Sequence, residues 1–383
     1  MEQDISPPPL SLYLHIPFCL SKCGYCSFFS LPYSGSALNT YIEYLSKELL
    51  IYQDLLQKPL QTLYFGGGTP SLLSPSQIIK LCSLLWIDSE AEVTLEVNPL
   101  QITPEFIAGL SKTRINRLSL GVQSLNEAEL TWLNRRHKPQ QIAPKLQLCR
   151  DFGFTNLSLD LMYGLPNSNI ESLKQNLDAY LSLSPQHISC YLLSLDEDCA
   201  LLQKSGQGHE DEPLIKLPED DALADQYELI RQTLCSAGYQ HYEISNFALP
   251  GKASLHNICY WQGDNYLALG ASAAGWISPF RYVNPSNLPA YYAGVESQTR
   301  FPDLLYCTPL RIIEDYVMMG LRMLNGIDLP AFELRFKLTI DELYGSKIKH
   351  LQSLGLLKIT ANRLALTEKA LFVSNSVIGE LIL

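Results

Sequence analysis

The chain has 383 residues, of which 46% are hydrophobic and 17% charged, and its formal net charge is −11. This length and apolar content allow one large domain with a smaller one, or about two to three ordinary domains. The acidic balance, with no basic stripe to meet phosphates, excludes a general nucleic-acid binder.

No stretch approaches the ~18 uninterrupted apolar residues of a membrane span, so membrane contact is limited to peripheral association. The N-terminal MEQDISPPPL lacks both the basic and the apolar region of a secretory signal. The expected setting is therefore the reducing cytoplasm. Seven of the ten cysteines are scattered singly through apolar or helical segments, where Cys acts as a small hydrophobe. Cys19, Cys23 and Cys26 are clustered, and in a reducing compartment a cluster suits metal or redox chemistry better than disulfides.

In chain order, six β-branched or apolar runs predict strands at 11–18, 62–68, 93–99, 117–124, 157–166 and 187–195. Helical patterns with apolar spacings of three and four separate them. They fall in 37–57, SPSQIIKLCSLLW, TPEFIAGL, NEAELTWLNRR and NIESLKQNLDAYLSL. Ser74-Pro75 and Thr103-Pro104 read as N-cap followed by N1 proline. Strand, helix, strand at this spacing predicts right-handed βαβ units and a mostly parallel sheet. Six such units make an open doubly wound sheet or an incomplete barrel. From about 197 an acidic, turn-rich stretch predicts an exposed loop, followed by a helix over DALADQYELIRQTLCSAG that ends on Gly238. Near the C-terminus, helices precede GLLKITANRLALTEKALFV, whose two short strands around TANR resemble the wing of a winged helix.

The chemistry concentrates in CLSKCGYC, which places three thiols in a C-x3-C-x2-C spacing and supplies no nearby fourth. Zinc knuckles favour a second C-x2-C pair downstream, and a thioredoxin-type site would leave Cys19 unexplained. Three thiolates suit three irons of a [4Fe–4S] cube and leave the fourth iron open to a chelating ligand. A zinc-stabilised binding module is the alternative reading of the triplet.

This spacing, with Tyr25 just before the last Cys, resembles the radical S-adenosylmethionine superfamily. The resemblance implies an incomplete (β/α)6 TIM-like barrel, a [4Fe–4S] cluster on Cys19, Cys23 and Cys26, and S-adenosyl-L-methionine chelated on the open iron. YLHIPFC, YFGGGTPS, LEVNP, RLSLGVQS, LNRRH and DLMYGLP narrow the likeness to the HemN/HemW group, over about residues 10–330. In the radical S-adenosylmethionine superfamily, electron transfer from the cluster cleaves the sulfonium and releases a 5′-deoxyadenosyl radical. By resemblance, Gly67, Gly68 and Thr69 hold the methionine amino end, and Arg135 neutralises the cofactor carboxylate. Glu96, Gln123 and Asp160 make further cofactor contacts, with Tyr13 near the cluster. Carboxylates within apolar strand runs need partners, and an internal salt bridge among Glu96, Arg135 and Asp160 would also supply them.

Two features divide the group. Its coproporphyrinogen dehydrogenases carry a further Cys two residues after the third ligand, where this chain has Phe28. The HemW heme chaperones lack that Cys and carry H-N-x-x-Y-W, which this chain matches with HNICYW, His256–Trp261. The resemblance makes His256 a candidate heme ligand and implies heme and recipient hemoproteins as partners, with an electron donor if the cofactor is cleaved. The alternative activity is anaerobic oxidative decarboxylation of coproporphyrinogen III. One stretch departs from the group: in YLALGASAAGW, Ala268 and Ser272 stand at glycine positions and Ala274 at a His position. The expected organisation is a partial barrel over 1–240, an extension with the HNICYW motif over 241–300, and a small, mainly α, winged-helix-like region over 301–383.

Overall fold

The computed structural model describes residues 10–195 and 217–382. Most of the acidic stretch expected as an exposed loop lies outside them. Six parallel strands follow one another, β1 (Ser11–Ile16), β2 (Leu60–Gly67), β3 (Ile87–Val97), β4 (Arg117–Gln123), β5 (Leu157–Tyr163) and β6 (His187–Leu192). Each pairs in parallel with the next. Because spatial order follows chain order, right-handed crossovers place the main connecting helices on one side of the sheet. These helices are α1 (Gly35–Ile51), α2 (Pro75–Cys82), α3 (Pro104–Leu110), α4 (Glu127–Trp132), α5 (Ile142–Asp151) and α6 (Ile170–Ser182). Several begin as their sequences dictate, with Ser74 and Thr103 side chains accepting from Gln77 and Phe106 N–H groups ahead of a first-turn proline.

The strands alternate over most of their length. Leu12, Leu14, Leu63, Phe65, Leu95, Leu118, Leu120, Leu159 and Ile188 are buried in the main core with the helices. Most of the intervening positions are polar and face the other way, into a lumen, Tyr13, Tyr64, Glu96, Ser119, Asp160 and Ser189 among them. A sheet with one apolar face under helices and one mostly polar face is the wall of an incomplete barrel with a polar interior.

After α7 (Asp220–Ser236), which reaches its left-handed glycine at Gly238 with φ +90°, the chain adds β7 (Gln240–Glu243) and β8 (Asn246–Ala248) antiparallel beyond β6. Helix α8 (Leu255–Trp261) carries the HNICYW motif. Strand β9 (Tyr266–Leu269) then pairs in parallel with β1, a seventh parallel strand that the sequence runs did not predict. Strands β10 (Ala274–Ile277), β11 (Phe280–Val283) and β12 (Leu305–Tyr306) continue antiparallel to the edge, with α9 (Leu288–Glu296) between the last two. Among the described residues the sheet ends, β12 and β7, are not paired with each other, so the barrel is incomplete. The C-terminal elements run α10 (Pro309–Gly320), β13 (Ile327–Asp328), α11 (Leu329–Phe336), α12 (Ile340–Ser353), β14 (Leu357–Thr360), β15 (Arg363–Leu366) and α13 (Ser374–Ile382). The tip of the β14–β15 hairpin turns through Ala361 and Asn362, at φ +48° and +61°, which gives TANR the wing form expected of it.

Candidate functional site

The cysteine loop leaves the C-terminal end of β1, the end at which barrels build their sites. Its two arms are stitched together, Leu31 N–H donating to Pro17 O at 2.6 Å and Tyr33 N–H to Cys19 O at 2.9 Å. A turn from Cys26 N–H to Cys23 O at 3.2 Å folds the tip. Cys19, Cys23 and Cys26 are half-exposed free thiols. Burial pushes the Cys26 thiol up from its ordinary value, and burial likewise raises the Tyr25 phenol beside Cys23. Among the described residues, no three His, Cys, Asp or Glu side chains converge to hold one metal ion. Thiolates that each bind a different iron of a cube need not converge on a point.

The glycine turn after β2 lies directly under this loop. A Cβ at Gly68 would stand 2.8 Å from Phe18 O and 3.0 Å from Cys19 Sγ, so only glycine permits the approach. Gly67 has φ +115°, and a Cβ there would meet the His15 ring at 2.7 Å. The Thr69 hydroxyl donates to Cys19 Sγ at 3.5 Å.

Below the loop, the lumen holds two carboxylates. Glu96 accepts from the Tyr64 hydroxyl at 2.9 Å and from Gly67 N–H at 3.2 Å. Burial, followed by the Asp160 carboxylate, lifts Glu96 to about 7. Asp160 lies beside the Ser119 and Ser189 hydroxyls, and burial lifts it to about 6. Arg135 does not pair with either: among the described ion pairs none joins it to Glu96 or Asp160, so the internal salt bridge is not formed. Its guanidinium instead donates to Gly121 O and, at 3.4 Å, to Cys23 Sγ, while its buried Nε has no partner.

Local structure explains how Arg135 arrives there. Helix α4 stops in a Schellman turn, with Asn134 left-handed at φ +55° and Arg135 N–H reaching Leu130 O at 2.8 Å. That turn swings the following side chain back over the lumen. Gln123 ends β4 at a register shift and is itself left-handed, φ +70°, a conformation that costs a non-glycine residue energy. Tyr13 donates to or accepts from His15 Nδ1 at 3.1 Å and lies 6.0 Å from the Tyr64 ring.

The residues present suit the cofactor that the sequence implies. A side-chain-free turn touches the thiol loop, an unsatisfied guanidinium nitrogen sits next to it, and two carboxylates on the polar lumen face take part in no ion pair among the described residues. An ammonium, a sulfonium and ribose hydroxyls are what such a donor set can take.

His256 is placed differently from the other candidates. It lies in α8 on the floor of the lumen, 1% exposed. Its Nδ1 shares a hydrogen bond with Thr62 Oγ1 and its Nε2 one with Tyr260 Oη, both at 2.7 Å. Neither ring nitrogen faces open space in this arrangement. In the departing stretch, Ala268 is buried inside β9, Ser272 takes a left-handed φ of +65°, and Ala274 is exposed. Sequence reasoning missed His15, Tyr64, Glu92 and Arg117, which all face the lumen. Their signal was the polar letter at every second position of each strand.

A partial barrel with a polar lumen, capped at its C-terminal mouth by a three-cysteine loop, defines the radical S-adenosylmethionine class. The family model Radical SAM superfamily matches residues 13–179, and HemN C-terminal domain matches 307–373. The chain resembles the protein named Heme chaperone HemW of Lactococcus lactis subsp. lactis, 35% identical over 379 residues and 98% of each chain. It is 32% identical to that of Bacillus subtilis over 96% of this chain and 98% of the relative. The solved coproporphyrinogen III oxidase (HemN) from Escherichia coli superposes with a TM-score of 0.83 at 25% identity, covering 98% of this chain and 90% of that one. The chain belongs to the HemW family.

Proposed function

We propose that this protein is a heme chaperone that carries a [4Fe–4S] cluster and S-adenosyl-L-methionine and delivers heme to recipient hemoproteins in the cytoplasm. The observation that carries the reading is the pairing of the three-cysteine loop with Phe28, 68% exposed where the dehydrogenases place a further Cys. Cys19, Cys23 and Cys26 would each bind one iron as thiolates. Gly67, Gly68 and Thr69 would admit the methionine end, Arg135 would meet its carboxylate, and Glu96 with Asp160 would hold positive charge and hydroxyls in the lumen. Gln123, Tyr13 and Tyr25 would complete the walls. When bound, the cluster supplies an electron to the sulfonium if a donor protein is present.

The second reading, oxidative decarboxylation of coproporphyrinogen III, is supported by the likeness to HemN. The test is anaerobic: reconstituted protein is titrated with heme and mixed with an apo-hemoprotein, and in parallel incubated with S-adenosyl-L-methionine, a reductant and coproporphyrinogen III. Heme binding and transfer without protoporphyrinogen formation is expected. Protoporphyrinogen formation without heme transfer would replace the first reading by the second.

A further inference from the structure

The HNICYW motif faces inward. Helix α8 docks its N-terminus on β3, where the Glu92 carboxylate accepts from Leu255 N–H at 3.2 Å, His256 N–H at 3.1 Å and the Ser254 hydroxyl at 3.4 Å. Glu92 is itself 3.9 Å from buried Arg117. These contacts fix α8 across the bottom of the lumen, and the bonds to Thr62 and Tyr260 fix the His256 ring within it. Burial, with Arg117 nearby, drops the imidazole to about 3, so it is a neutral ring. That ring stacks on Tyr64, with centroids 5.0 Å apart and planes at 25°. Tyr13 completes a three-ring stack, 6.4 Å from His256. Tyr64 is in turn the residue whose hydroxyl donates to Glu96. A continuous path of contacts therefore runs from the motif to the lumen carboxylate.

We propose that His256 is a positioning residue that holds Tyr64 against Glu96, and so sets the affinity of the lumen for S-adenosyl-L-methionine, and that it is not an axial ligand of heme. An axial bond needs an in-plane nitrogen lone pair aimed at open space, whereas both nitrogens here face hydroxyls at 2.7 Å. The inference rests on the reading of the lumen as the cofactor site, and it separates that site from the place where heme binds.

The experiment compares the cluster-reconstituted wild-type protein with His256→Gln, His256→Phe and Tyr64→Phe. S-adenosyl-L-methionine affinity is measured by anaerobic calorimetry, and ferric heme binding by absorption titration. Stacked ring pairs are worth enough that His256→Gln should weaken cofactor affinity about 3–10-fold. His256→Phe, which keeps a ring over Tyr64, should recover most of that loss, a rescue that a merely structural defect would not show. The double variant His256→Gln/Tyr64→Phe should be no weaker than Tyr64→Phe alone, because both act through one contact. Heme stoichiometry and Soret position should match wild type throughout. Loss or displacement of the Soret band in both His256 variants, with cofactor affinity unchanged, would overturn the proposal. Additive losses in the double variant would also overturn it. A wild-type protein that holds its cluster but binds no S-adenosyl-L-methionine would instead overturn the reading of the lumen, and this proposal with it.

Discussion

Replacing Glu48 with Gln should change how the stability of the protein depends on pH, and the size of the change can be worked out. Glu48 lies on α1, 4% exposed. It accepts from Gly270 N–H at 2.8 Å, Asn284 Nδ2 at 2.6 Å and the Tyr291 hydroxyl at 2.7 Å. It therefore pins the 270–273 loop, at the C-terminal end of β9, beside the lumen mouth. Burial raises its carboxyl from 4.5 to about 7 despite these three donors. At 1.36 kcal/mol per unit, the ionised form is disfavoured in the folded chain by about 3 kcal/mol. The folded value exceeds the unfolded one, so the folded chain binds more protons between them. Stability from this group is full below about 4.5 and is lost as pH rises to about 7. Gln does not titrate. The stability of Glu48→Gln relative to wild type should thus improve by about 3 kcal/mol between pH 4.5 and 8. Urea unfolding of both proteins at each pH measures it, and comparison at matched pH cancels the titration of buried histidines. Parallel stability curves across that window would refute the reasoning.

Two further substitutions probe the site. Gly68→Ala should lower the iron and sulfide retained after reconstitution, because the added methyl meets Phe18 O and Cys19 Sγ at 2.8 and 3.0 Å; unchanged iron content would show that the cysteine loop yields freely. Gln123→Gly should stabilise the protein by about 0.5–1 kcal/mol in thermal or urea unfolding by relieving the left-handed backbone at φ +70°. It should also weaken S-adenosyl-L-methionine binding, and a destabilised Gly variant would mean that the side chain, not the backbone, governs this position.

The βαβ rhythm was readable because each strand run is a block of apolar letters bounded by turn residues, and all six runs became parallel strands. Their ends were less so. The 93–99 run extends back to Ile87, because the mostly polar Asp88–Glu92 stretch lies in a strand that pairs with β2 at Leu60. The 157–166 run stops at Tyr163, where Gly164 turns at φ +72°. The thiol triplet and the glycine turn were legible because spacing and the lack of side chains are properties of the letters themselves. The lumen floor was not. Glu92, Arg117 and His256 are brought together from β3, β4 and α8, and nothing local in any of those segments announces the others. For the same reason the partners of His256 were not legible: a His among aromatics carries no sign of what its nitrogens bond to, here Thr62 and Tyr260. The parallel pairing of β9 with β1 spans some 250 residues of chain, beyond the reach of any periodicity.

The central claim is that the three-cysteine loop and the lumen beneath it form one cofactor site. It is tested most directly by anaerobic titration of S-adenosyl-L-methionine into the reconstituted protein, following the cluster by electron paramagnetic resonance after reduction. About four irons and four sulfides per chain are expected, with a spectrum that changes on adding the cofactor in wild type and far less in Glu96→Gln. A colourless protein binding a single zinc, or a cluster spectrum indifferent to S-adenosyl-L-methionine, would contradict the account.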